Sequence, residues 1–195
     1  MRTIGIYLFP DVEELDAVGP WEVLASWAKH WPDDGWQVVT FSRDGAEVQC
    51  AKGLTVRPQY DWTSVPTLDV LIYPGGQGTR PHLQDDEQLQ WVRTQRDSGT
   101  LMTSVCTGAL VYAAAGLLRD RPATTHWASL ELLAKLDPTI DVREDERWVD
   151  SGEVITAAGV SAGIDMALHL VRRLAGEERA RLVRKYIQYD PQPPV

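Results

Sequence analysis

Hydrophobic and polar positions follow two rhythms along this chain. Short apolar runs closed by turn-forming residues predict strands over Ile4–Phe9, Trp36–Phe41, Leu68–Tyr73 and Leu101–Val105. Longer segments with apolar residues three or four apart predict helices over Val18–Trp31, Asp85–Ser98, Thr107–Leu118, Ser129–Leu136, Ser161–Ala175 and Glu177–Gln188. Gly19-Pro20 suits the first turn of the first helix, and Gly99 stops the second. Glu47–Cys50 and Leu54–Arg57 flank Ala51-Lys52-Gly53 and predict a small hairpin. Ile140–Arg143, Arg147–Val149 and Val154–Ala157 are strand candidates in a more charged region. Strands alternating with helices predict a mostly parallel sheet with helices on both faces. The simplest organisation is one α/β domain over residues 1–188. A tail follows at 189–195, because its DPQPPV cannot continue a helix.

Composition narrows the function classes. The 195 residues suit one large α/β domain. No apolar run nears the roughly 18 residues of a membrane span. MRTIGIYLFP leads straight into a strand pattern without a signal-peptide core, so the expected setting is cytoplasmic, with no membrane partner. Lys and Arg number 19 against 28 Asp and Glu, a net charge of −9, which disfavours nucleic acid as a partner. The basic cluster at Arg172, Arg173, Arg179, Arg181, Arg184 and Lys185 is interleaved with Glu177 and Glu178 and reads as a solvated helix face. Cys50 and Cys106 lack the spacing of a metal clip or redox pair. Cys50, in the hairpin, reads as structural.

Sites in open α/β sheets form beyond the carboxyl ends of strands. Cys106 stands between a strand and a helix, the layout of a nucleophile elbow, with Gly108 two positions later. Ser104 stands where the usual preceding small residue is Gly. A helix N-terminus favours the thiolate; the competing reading is a buried small hydrophobe. Gly75-Gly76 after a buried strand leaves backbone N–H groups for a ligand, and with the Thr107 N–H could form an oxyanion hole. An ordinary turn explains the pair equally well. Asp16 lies between apolar neighbours, where a carboxyl needs a partner or stays protonated; the alternative is a helix N-cap. His126 is either a base for Cys106 or a structural group beside Trp127. Trp21 and Trp127 flank these motifs and are placed near the site.

Together the segments SVCTGA, YPGGQG, ELDAVGPWEVL, ATTHW and TAAGVSAGIDMALHLV resemble the ThiJ/PfpI superfamily, of class I glutamine amidotransferase-like fold. The resemblance runs from Ile4 to the YDPQPP ending and is nearest to the isonitrile hydratase branch. It implies a flavodoxin-like three-layer sandwich and a homodimer. It implies Cys106 as nucleophile, Asp16 as its acidic partner and Thr107 as the hydratase-branch threonine, with Gly75, Gly76, His126 and Trp127 around the substrate. Thr107 stands where peptidase members carry His, and Asp16 where peptidase and stress-protein branches carry Glu, which argues against proteolysis. The implied reaction adds water to an isonitrile to give an N-substituted formamide, with no cofactor or metal. Glyoxalase III-like carbonyl chemistry, a cysteine redox or stress sensor, and a small-molecule binding module are the rival readings. No helix-turn-helix segment follows Gln188, so the related AraC-type regulators match only in their N-terminal domains.

Overall fold

The computed structural model describes residues 1–192; Pro193, Pro194 and Val195 of the expected tail lie outside them. In chain order the elements are β1 (Arg2–Tyr7), α1 (Glu14–His30), β2 (Trp36–Phe41), β3 (Val48–Gln49), β4 (Thr55–Val56), β5 (Val70–Tyr73), α2 (Thr79–His82), α3 (Asp86–Asp97) and β6 (Leu101–Val105). They continue with α4 (Gly108–Ala114), β7 (Pro122–Ala123), α5 (Leu130–Leu136), β8 (Asp141–Val142), β9 (Trp148–Asp150), β10 (Val154–Ala157), α6 (Ala162–Ala175) and α7 (Glu177–Tyr186).

Six strands form the central sheet in the order β2-β1-β5-β6-β10-β9. Every pairing is parallel except β10 with β9. All four residues of β5 and of β10 are buried, as strands covered on both faces require. One helical layer holds α1, α6 and α7, which pack on one another; α2, α3, α4 and α5 form the other. The chain leaves β1 first for β2 and later returns to β5 on its other side. The order therefore reverses between β1 and β5, and a crevice opens at their carboxyl ends.

Two helix ends differ by a turn or more from the sequence expectation, each for a local reason. Helix α1 begins at Glu14, four residues early, so Pro20 lies inside it. Glu14 and Asp16 fall in its first turn, where negative charge is favourable. Pro20 has no N–H to donate to the Asp16 carbonyl one turn back. Helix α4 stops at Ala114, well short of Leu118, because Gly116 (φ 78°) terminates it. The Leu117 N–H bonds the Tyr112 carbonyl and the Gly116 N–H bonds that of Ala113, a Schellman cap. The short helix α2, directly after Gly78, has no apolar periodicity and was not expected. Asp85 caps α3 by accepting the Gln88 N–H.

Candidate active site

The elbow is held from both sides. Cys106 has φ 55°, left-handed backbone that costs a non-glycine residue about 1–2 kcal/mol. Its N–H donates to the carbonyls of Ala157 (3.1 Å) and Ala158 (3.0 Å) at the end of β10. Its own carbonyl accepts the Thr125 hydroxyl at 2.7 Å. The surroundings thus fix a conformation that Cys106 would not choose alone. Gly108 permits the turn: a Cβ there would lie 2.2 Å from the Tyr73 carbonyl oxygen.

The thiol is 5% exposed, so the turn buries its side chain instead of lifting it above the sheet. Asp16 is fully buried, and one carboxyl oxygen accepts the Gly75 N–H at 2.8 Å. Its other oxygen has no hydrogen-bond partner, although the Cys106 thiol is close enough to act on the charge of the carboxyl. Asp16 lies inside the first turn of α1, so the N-cap reading does not hold.

Burial decides the electrostatics of this pair. It pushes the Asp16 carboxyl up to about 7, against the Gly75 N–H and the thiol contact, which favour the carboxylate. It pushes the Cys106 thiol up to about 12, helped by the neighbouring carboxylate. The nearby N–H groups of Thr107 and Val160 pull the other way without winning. Burial therefore works against the thiolate that the helix N-terminus favours. Helix α4 is only seven residues long, and its dipole does not repay the loss of water around the sulfur. At neutral pH these shifts favour a protonated Cys106 beside a carboxyl that takes up a proton far more readily than a free one.

The glycine pair is also different from the expectation of free donors. The Gly75 N–H is taken by Asp16, and the Gly76 N–H bonds the Thr107 hydroxyl oxygen at 2.9 Å. Thr79 ties this corner together: its hydroxyl donates to the Gly76 carbonyl (2.7 Å) and lies 3.2 Å from that of Thr107. The N–H groups that face the sulfur are those of Thr107 and Val160. Val160 itself has φ 44°, rare for a β-branched residue.

His126 and Trp127 are placed beside this core without entering it. The His126 Nδ1 accepts the Ala128 N–H (3.2 Å), and its ring lies against Gly159, next to Val160. No hydrogen bond joins His126 to Cys106 among the described residues, and the titratable side chain beside the thiol is Asp16. Trp127 is 77% exposed, 5.5 Å from the His126 ring. Trp21 lines a different cavity of about 440 Å³, with Leu8, Val18 and Cys50. Cys50 is buried there, and burial raises its thiol too. Among the described residues no three His, Cys, Asp or Glu side chains group as metal ligands. No helix among them is long and apolar enough to cross a membrane. Sequence reading missed Thr79, Thr125 and Val160 as parts of the site. Thr125 and Val160 lie inside the quoted motifs ATTHW and TAAGVSAG, while Thr79 carried no signal.

The model of the DJ-1/PfpI family matches residues 2–173. The chain belongs to the DJ-1/PfpI family. Within that family it is 42% identical over 191 residues to an isonitrile hydratase of Pseudomonas putida, covering 98% of this chain and 80% of that protein. An HTH-type transcriptional regulator GbdR of Pseudomonas aeruginosa is 28% identical over 77% of this chain but only 41% of its own length. Among solved structures, a ThiJ/PfpI family protein from Pseudomonas syringae superposes with a TM-score of 0.89 at 31% identity, over 100% of this chain and 77% of that one. These DJ-1/PfpI relatives establish the flavodoxin-like fold, a mostly parallel sheet with helices around it.

Proposed function

We propose that this chain hydrates isonitriles to N-substituted formamides at Cys106, with Asp16 moving the protons. The observation that carries the reading is the burial of the Asp16 carboxyl beside Cys106, with one carboxyl oxygen left without a hydrogen-bond partner. The 42% identity to an isonitrile hydratase supports it. An isonitrile carbon is both basic and electrophilic, so it needs a proton and a nucleophile at one atom. Cys106 passes its thiol proton to the Asp16 carboxylate, and Asp16 delivers it to the carbon while the sulfur bonds there. The product is a thioimidate, R–N=CH–S–Cys106. Water then adds across the C=N bond; its oxygen joins carbon and a proton reaches nitrogen. The C–S bond breaks, the hydroxyl proton returns through Asp16 to sulfur, and R–NH–CHO leaves. The Thr107 and Val160 N–H groups stabilise charge that builds on sulfur as the thiol proton departs.

Specific observations weigh against the rivals. Carbonyl chemistry through His126 needs a proton shuttle in contact with the thiol, and His126 Nδ1 is already engaged by Ala128. A peroxide sensor needs an accessible low-pKa cysteine, and Cys106 is buried and raised. The reading includes a cytoplasmic homodimer with an isonitrile as its small-molecule partner. Support for self-association comes from Leu15 and Val18 exposed on α1, and Leu54 exposed on the hairpin that Lys52 ties to Glu13 at the start of α1.

The test is direct. Incubation with benzyl isonitrile should give N-benzylformamide, followed by its formyl proton in NMR, and Cys106→Ala should fall to the uncatalysed rate. Absence of product with the unaltered protein, or full turnover by Cys106→Ala, defeats the reading. Thr107→Val should lower turnover and cost about 1–3 kcal/mol in denaturant unfolding, because the Gly76 N–H loses its acceptor. Thr107→Ser should restore both; equal stability of the valine variant would show that the bond contributes nothing.

A further inference from the structure

A second ligand-sized cavity is lined by none of the residues placed at the thiol site. It is a groove of about 560 Å³ between α6, α7 and the segment after α7, with Trp148 of β9 at its side. Trp148, Leu168 and Tyr189 supply aromatic and apolar wall. Arg172, Arg181 and Arg184 supply positive charge, and Asp165 and Glu177 are its carboxylates.

Most of these charges are already matched. Arg147 pairs with Asp165, which also accepts the Tyr189 hydroxyl at 3.0 Å. Arg181 pairs with Glu177, and Arg184 with Asp190. Just beneath, Arg173 pairs with Asp150. Arg172 is different: among the described residues no carboxylate lies within ion-pair distance of it. Its one side-chain partner is the His169 Nδ1, at 2.9 Å. A guanidinium can only donate, so that nitrogen is an acceptor and the ring proton is on Nε2, which bonds Asp150 at 2.7 Å. An imidazole carries no negative charge, so His169 offers Arg172 no counter-charge. An acidic chain has left one arginine of this groove without an anion.

We propose that the groove binds a small organic monocarboxylate, with the carboxylate on Arg172 and an apolar or aromatic body against Trp148 and Leu168. A single anionic charge fits the balance of the groove: three arginines face two carboxylates. A dianion such as phosphate would meet Asp165 and Glu177 at close range with only that one excess positive charge to offset it. A planar carboxylate also matches the guanidinium fork with two parallel hydrogen bonds. The site is independent of Cys106 and of the proposed hydration.

Benzoate is the probe, titrated by calorimetry at low ionic strength against the unaltered protein, Arg172→Gln and Cys106→Ser. Saturable binding is expected to the unaltered protein and equally to Cys106→Ser, with at least about tenfold weaker binding to Arg172→Gln. The neutral isostere benzamide should bind about tenfold more weakly than benzoate. Arg172 is exposed, so its substitution leaves the core intact; Arg172→Lys, which keeps the charge, should recover part of the affinity. Absence of benzoate binding, equal binding to Arg172→Gln, equal binding of benzamide, or loss of binding in Cys106→Ser would each overturn the proposal.

Discussion

Asp16→Asn is expected to abolish isonitrile hydration and, at pH 8, to make the protein more stable. The two effects share one cause. Burial holds the Asp16 carboxyl at about 7, whereas an unfolded chain has it near 3.9. A carboxyl with a raised folded value favours the native state only while protonated. Stability is therefore lost as pH climbs from the unfolded value to about 7, and the penalty is constant above that. Its full size is on the order of 4 kcal/mol. Asparagine has no charge to bury, and its side-chain oxygen still accepts the Gly75 N–H. Denaturant melts of the two proteins should coincide near pH 4 and separate progressively up to pH 7, the variant being the more stable. Unfolding free energies that stay parallel from pH 4 to pH 8 would mean that Asp16 is not held protonated by the fold. The same variant removes the negative charge beside Cys106, so thiolate absorbance should rise at a lower pH than in the unaltered protein. A site that destabilises its own fold in the working pH range is what a trade of stability for reactivity predicts.

Gly75→Ala should damage the site through a single methyl group. A Cβ at Gly75 would lie 2.5 Å from the Thr107 nitrogen, 2.7 Å from the Thr107 hydroxyl and 2.8 Å from an Asp16 carboxyl oxygen. None of the three can retreat freely. The Thr107 nitrogen is backbone inside the elbow, and Asp16 is fully buried on α1. Relief must separate the loop after β5 from the elbow, which breaks the Gly76–Thr107 and Gly75–Asp16 hydrogen bonds. Overpacking of this kind costs about 1–3 kcal/mol, and one or two lost buried bonds add comparable amounts. Turnover should drop at least about a hundredfold, since a displacement near 1 Å at the reacting groups suffices for that. Hydration at the unaltered rate in a folded Gly75→Ala protein would show that this corner does not position the chemistry.

The parts of this molecule that were readable in sequence are those whose cause is local. The strand Leu101–Val105, the cysteine after it and Gly108 sit within eight positions, and the elbow appears where that pattern placed it. Strand β2 also matches residue for residue. Helix α1 was misjudged because Pro20 reads as a first-turn residue, while the acidic Glu14 and Asp16 start the helix one turn earlier. The electrostatics were only partly legible, for a different reason. A helix N-terminus beside a thiol is visible in sequence, but the burial that outweighs it is not. Contacts that join distant segments were equally silent. Thr79 reaches Thr107 across 28 positions, and Val160 approaches Cys106 from the far end of β10. No periodicity or composition encodes either encounter.

The burial of Cys106 has a consequence in time as well as in energy. A sulfur with so little exposed surface meets a bulky solute only when the surrounding chain opens. The corner at Gly75, Gly76, Thr79 and Thr107 is closed by its own hydrogen bonds and resists opening. Modification by a bulky thiol reagent would then proceed at the frequency of local opening, insensitive to reagent concentration once the reagent is abundant. A small electrophile would instead react in proportion to its concentration. The ratio of the two rates is a clock for the motions that admit substrate, readable in the protein as it stands.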